Sequence, residues 1–142
     1  MTLRLRNLAS GSAGNATLVE ARSSHHTTRL LIDCGLRPAE LERRLQRCDL
    51  ALADLDAVFI THEHSDHVGH ARTLTERYPI PLWMSEGTRR ACDVHTWALQ
   101  PDQLQLARDG EPVVIQDLCL HPFTVPHDAR EPLQLRWARR CV

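Results

Sequence analysis

Thr61-His62-Glu63-His64-Ser65-Asp66-His67 follows directly on the apolar run Ala57-Val58-Phe59-Ile60, and no other stretch constrains the fold as tightly. Three histidines and two carboxylates within six residues are incompatible with a core segment, because each unpartnered polar group would cost several kcal/mol to bury. A strand end displays them well: the backbone leaves the sheet there, and side chains converge on the crevice beyond the carboxyl edge. His62 and His64 lie two apart, so in an extended chain both imidazoles point to the same side. Asp66 and His67 follow where the chain turns into a helix, which offers a second pair of ligands at a different angle. Imidazole nitrogens with a carboxylate, and no thiolate in the cluster, suit zinc and also manganese or iron. The pattern is not the helical His-Glu-x-x-His of zinc proteases, which needs a histidine where Asp66 stands. A polar loop with solvent-facing histidines is the plain alternative. It accounts for a single histidine better than for His-x-His-x-Asp-His at the end of an apolar strand.

The chain around this junction is that of an ordinary folded domain. Its 142 residues suffice to bury about two-thirds of the unfolded surface, and 42% hydrophobic with 25% charged residues excludes a disordered chain. No apolar run approaches the ~20 residues of a membrane span, and Met1-Thr2-Leu3-Arg4-Leu5 lacks a signal-peptide core. A cytoplasmic location is therefore expected, with no membrane partner. Five cysteines without Cys-x-x-Cys spacing are expected to be free, mostly buried thiols. The basic residues are all arginine, which reads as a composition bias of the source. A net charge of −1 gives no global attraction to nucleic acid, so any polyanion site must be local. Arg43-Arg44-Arg47 and Arg89-Arg90 are candidate phosphate contacts, each weighed against a solvated helix face.

Short strands and helices alternate along the chain. Leu3-Arg4-Leu5-Arg6 has the period of a half-buried strand. Gly11, Gly14 and Asn15 mark a tight loop before a strand over 16–21, and residues 22–28 make a hairpin into a strand over 29–33. Pro38 opens a helix whose apolar face is Leu41, Leu45 and Cys48. After the strand over 56–61, Val68, Ala71, Leu74 and Tyr78 predict one further helix, ended by Pro79. Residues 80–84 form a strand, Ser85 caps a helix over 86–92, and Asp109-Gly110 marks a turn between 104–106 and the strand 113–115. Residues 118–125 carry the chain to His127. His25, His26, His70, His95 and His121 complete no ligand spacing and are expected to be surface or structural residues.

His62, His64, Asp66 and His67 match the hallmark of the metallo-β-lactamase superfamily, which the chain resembles. Leu30-Leu31-Ile32-Asp33-Cys34-Gly35 looks like the strand-ending Asp-x-Gly that precedes the metal loop there. Thr124-Val125-Pro126-His127-Asp128-Ala129 looks like the segment that supplies a third histidine. The opening Ala9-Ser10-Gly11-Ser12-Ala13-Gly14-Asn15-Ala16 is similar to the YycJ-like (WalJ-like) bacterial branch of nuclease-like hydrolases. The resemblance implies an α/β fold, half of an αββα sandwich, with one mixed sheet and helices on one face. It also implies a metal-dependent hydrolase. His62, His64 and His127 would hold one divalent metal with an open position, and Asp66 and His67 a second. Zinc is favoured, with manganese or iron as alternatives. Water held between such metals has its pKa lowered to near ~7, so hydroxide is available at neutral pH. Asp66 and Asp33 are the expected catalytic carboxylates, Asp33 by orienting the loop or a histidine. Asp128 is expected to act similarly on His127.

Superfamily members are usually longer, and their second half brings a bridging aspartate and a final histidine. Residues 1–132 are accordingly expected to form the N-terminal half domain, and 133–142 an atypical tail in which Leu133, Leu135 and Trp137 alternate as a strand would. A truncated or frameshifted product, a fragment, a domain completed by a partner, and a single-metal site are the readings of that departure. Self-association through exposed half-sandwich surface is expected. Two functions follow. One is a hydrolase acting on nucleic acid or another phosphodiester; the other is an inactive fragment that binds one metal, or a partner, without turnover.

Overall fold

The computed structural model describes residues 2–138. Strands β1 (Thr2–Ala9), β2 (Ala16–Arg22) and β3 (Thr27–Ile32) form an antiparallel meander. Helix α1 (Pro38–Gln46) follows, with Pro38 in its first turn and Leu41 and Leu45 fully buried as the spacing predicted. The chain then lays β4 (Ala57–Phe59) parallel to β3. It continues through α2 (Ser65–Val68) and α3 (Ala71–Arg77) to β5 (Leu82–Met84), α4 (Glu86–Ala91) and β6 (Leu104–Leu106). The six strands make one mixed sheet in the order β1-β2-β3-β4-β5-β6.

Period-two alternation sorts the core residues to two faces of this sheet. Leu18, Leu31 and Val58 pack with Leu41 and Leu45 of α1 and with Ala71 and Leu74 of α3. Their sequence neighbours Val19, Leu30 and Phe59 face the other way. These meet a second sheet, the antiparallel set β7 (Val113–Ile115), β8 (Leu118–Thr124) and β9 (Leu133–Ala138). Leu118, Leu120 and Leu133 complete the core between the sheets. Each fully buried side chain there contributes about 1.5–3 kcal/mol of apolar transfer free energy.

Several expectations change. The mixed sheet with its helices is present, but its other face is covered by a second sheet and is not bare. The alternating Leu133, Leu135 and Trp137 do form a strand, paired antiparallel with β8 through Thr124↔Leu133 and Leu120↔Trp137. Residues 139–142 of the proposed tail lie outside the described residues. The single helix predicted through Tyr78 is two helices, because the chain leaves helical geometry at His70 (φ −120°, ψ 11°). Asp109-Gly110 does turn, with Gly110 at φ +79°, yet the strands it joins belong to different sheets. Cys34, Cys48 and Cys92 are free thiols, whereas Cys119 is disulfide-bonded, so the expectation of five free thiols fails. Among the described residues, no helix is long and apolar enough to cross a membrane.

Candidate metal centre

Four segments meet at the carboxyl ends of β3 and β4. Asp33, directly after β3, sits in the left-handed region (φ 64°) and is buried. Its carboxylate accepts from the Thr61 backbone N–H at 2.8 Å and from Thr61 Oγ1 at 2.9 and 3.0 Å. It also accepts from His67 Nδ1 at 2.6 Å. Thr61 Oγ1 has one proton, which it donates in a hydrogen bond to Asp33. His62 Nδ1, 2.9 Å from the same oxygen, must therefore be the donor to it, and the proton on each ring is assigned from this network. One buried carboxylate thus fixes two imidazoles, leaving Nε2 of His62 as an acceptor turned to the cluster and Nε2 of His67 as an acceptor 3.4 Å from Asn15 Nδ2.

Gly35 lets Asp-x-Gly run beneath the metal loop. A Cβ at that position would collide with the Asp66 carbonyl and stand 2.6 Å from the Asn15 nitrogen. Cys34 N–H donates to the His67 carbonyl (2.7 Å), and Asn15 N–H to that of Asp66 (2.7 Å). Asn15 Nδ2 also reaches Asp66 Oδ2 at 3.0 Å and Gly11 O at 3.0 Å. The glycine loop therefore belongs to the site, although its sequence pattern alone gave no chemistry.

His127 arrives from the far sheet, on the loop after β8. The segment beyond it is pinned at several points. Arg130 N–H donates to Glu63 (3.0 Å), Leu133 N–H to the Thr61 carbonyl (2.9 Å), and Gly87 N–H to the Glu131 carboxylate (2.8 Å). Ser85 Oγ, which caps α4 as expected, donates to the Glu131 carbonyl at 2.7 Å. These contacts place His127 Nε2 3.2 Å from His62 Nε2, across 65 residues of sequence. Asp128 Oδ1 lies 2.8 Å from His127 Nδ1, and the Asp128 carbonyl 3.0 Å from His64 Nε2.

The ligand atoms of His62, His64 and His127 all lie within 4.8 Å of one another. Asp66 and His67 stand beside them: Asp66 Oδ2 is 3.6 Å from His67 Nε2, and the His62 and His67 ring centroids are 4.1 Å apart. Burial pushes the His62 pKa down, and the neighbouring rings of His67, His127 and His64 push it further, against the pull of Asp33. The hydrogen bond to Asp33 holds the His67 pKa up. With their Nδ1 atoms engaged, the Nε2 atoms of neutral His62 and His127 face each other as two acceptors, and they repel when both rings are protonated. A divalent cation resolves both problems, and two nitrogens on one tetrahedral zinc stand about 3.3 Å apart. The donor set fits such a metal.

A cavity of about 360 Å³ opens beside these residues, walled by Asp33, Thr61, His62 and His67 and, from β9, by Leu135 and Trp137. The remaining histidines stay outside the cluster: His25, His26 and His95 are exposed, and His121 lies near Cys119. His70 is half-buried at the start of α3. The arginines first weighed as phosphate contacts are largely paired on their own helices, Arg43 and Arg44 with Glu40, Arg89 and Arg90 with Glu86. The sequence reading missed Thr61, Asn15 and Glu131. The only sequence signal for Thr61 is its place between an apolar strand and a histidine cluster.

Residues 9–132 match the Metallo-beta-lactamase superfamily model. The chain is 32% identical over 133 residues to exodeoxyribonuclease YycJ of Bacillus anthracis, covering 94% of this chain and 49% of that protein. It is likewise 32% identical over 134 residues to exodeoxyribonuclease WalJ of Streptococcus pneumoniae serotype 2, covering 93% and 48%. The chain thus spans about half the length of the curated relatives it matches. Among solved structures, the metallo-beta-lactamase fold protein YhfI from Bacillus subtilis superposes with a TM-score of 0.73 at 17% identity, over 98% of this chain and 59% of that one. That likeness is one of fold. With the family match covering most of the chain and the whole histidine cluster, the chain belongs to the metallo-beta-lactamase superfamily.

Proposed function

We propose that this chain carries the metal-holding part of a divalent-metal hydrolase that cleaves phosphodiester bonds in nucleic acid. The observation that carries the reading is the convergence of His62, His64 and His127 from two sheets, with one ligand nitrogen of each within 4.8 Å of the others. The exodeoxyribonuclease names of the relatives support nucleic acid as the substrate class. His62, His64 and His127 would hold one metal, and Asp66 with His67 a second. When bound, such metals supply Lewis acidity and acidify water. Asp33 acts through Thr61 and His67: it fixes tautomers and holds the rings toward the cavity. Leu135 and Trp137 give the cavity an apolar, aromatic wall against which a base can stack.

The test is hydrolysis of end-labelled linear DNA, and of bis(p-nitrophenyl) phosphate, by the whole chain loaded with zinc or manganese. Turnover that chelation and H62A or H127A abolish is expected. Full metal occupancy without turnover of either substrate would overturn the proposal.

A further inference from the structure

The other face of the first three strands carries a second polar cavity, also about 360 Å³, lined by Arg4, Arg6, Glu20, Arg22, Arg29 and Asp49. Strand register builds it. Arg4, Glu20 and Arg29 lie in one cross-strand row, and Arg22 lies in the next, between Thr2 and Thr27. The buried Glu20 carboxylate accepts from Arg6 Nε at 3.0 Å and from Arg29 Nε at 3.1 Å, so it locks those two guanidinium groups while leaving their outer N–H donors to the cavity. Among the described residues, Arg4 and Arg22 make no ion pair. Four guanidinium groups against two carboxylates leave the cavity positive in a chain whose net charge is −1. Arginines preorganised in this way present planar donor forks suited to phosphate oxygens.

We infer that this cavity is a phosphate-binding site separate from the metal centre, and that it holds the backbone of a nucleic-acid strand. It lies four residues down β3 from Asp33, about 13 Å along the strand, and faces the helix side, whereas the metal cavity faces the second sheet. The edge strand of the mixed sheet, β1, contributes residues to both, Arg4 and Arg6 to one and Leu5 to the other. The polymer rests on the reading of the metal centre given above; the anion site itself rests on the arginines alone.

The test uses the whole chain without added metal, a fluorescein-labelled single-stranded deoxythymidine oligonucleotide in one arm and adenosine diphosphate in the other. R4Q/R22Q is expected to weaken oligonucleotide binding about 10-fold and to flatten its salt dependence by about one phosphate contact. R4K/R22K should retain most of the affinity, and R22Q alone, at an exposed strand end, should give a smaller loss in a fold that circular dichroism shows unchanged. Loss in the oligonucleotide arm alone identifies a polymer backbone, and equal loss in both arms a free nucleotide. Equal binding by parent and R4Q/R22Q in both arms would overturn the site. Turnover of bis(p-nitrophenyl) phosphate by the metal-loaded variants should match the parent, which separates failure here from failure of the hydrolase reading.

Discussion

Asp33 shows how much one residue can hold. It accepts hydrogen bonds from a backbone amide, a hydroxyl and an imidazole while sitting at φ 64°, a conformation aspartate tolerates better than most residues. D33N keeps the shape but surrenders the charge and one acceptor, so His62 and His67 lose their fixed tautomers. Metal affinity should fall about 10–100-fold, measured by zinc titration against a competing chelator, and affinity equal to the parent would refute this role. Gly35 is the companion case, with a steric cause. G35A forces the Asp66 carbonyl and the Asn15 amide apart and should cost about 2–3 kcal/mol in denaturant unfolding, with metal affinity weakened as well. Burial pushes the pKa of the nearby Cys34 thiol up to about 12, so this buried side chain serves packing and not nucleophilic chemistry.

At the scale of an element, α4 is short and depends on its ends. Ser85 caps its N-terminus, and Glu86 in the first turn pairs with Arg89 and Arg90. Hydrogen bonds from Arg89, then from Arg90, hold the Glu86 carboxyl down at about 2, against its ordinary value of 4.5. Its contribution is therefore fully present above the ordinary value and is lost as pH falls through the depressed one. The Tm difference between the parent and E86Q should narrow from about pH 5 to about pH 3, and shrink at high salt because the group is exposed. A difference that does not change with pH would contradict the pairing. The same helix matters to the site, since Ser85 and Gly87 anchor Glu131 and so the loop that presents His127. Elements of this kind were largely legible beforehand. Ser85 as a cap, Leu41 and Leu45 as an inward face, and the apolar strand ahead of the metal loop all follow from local chemistry. The break at His70 was not legible, because Val68, Ala71, Leu74 and Tyr78 keep helical spacing across it.

For the whole molecule, the histidine cluster is a seam. His62 and His64 belong to the end of the mixed sheet and His127 to a loop of the second sheet, so a cation held by all three ties the sheets together. Zinc at about 100 times its Kd should stabilise the fold by about 2.7 kcal/mol, roughly 8 °C in Tm for a domain of this size. Chelation should remove that gain. H127A should lose most of it while leaving the metal-free Tm near the parent's, since residue 127 is exposed. An undiminished zinc shift in H127A would show that the sheets are not joined there.

The sequence by itself determined the grouping of His62, His64, Asp66 and His67 at a strand end, the alternation that divides Leu30 from Leu31 and Val58 from Phe59, and the caps and turns, because these depend on neighbours within a few residues. Only the tertiary structure decided that Asp109-Gly110 passes between two sheets, that β9 returns to β8, and that Thr61, Asn15 and Glu131 set the positions of the histidines. Those outcomes depend on pairing across tens of residues, where a turn or an alternating run has the same local energy whichever partner it finds. Burial against one particular surface selects among them.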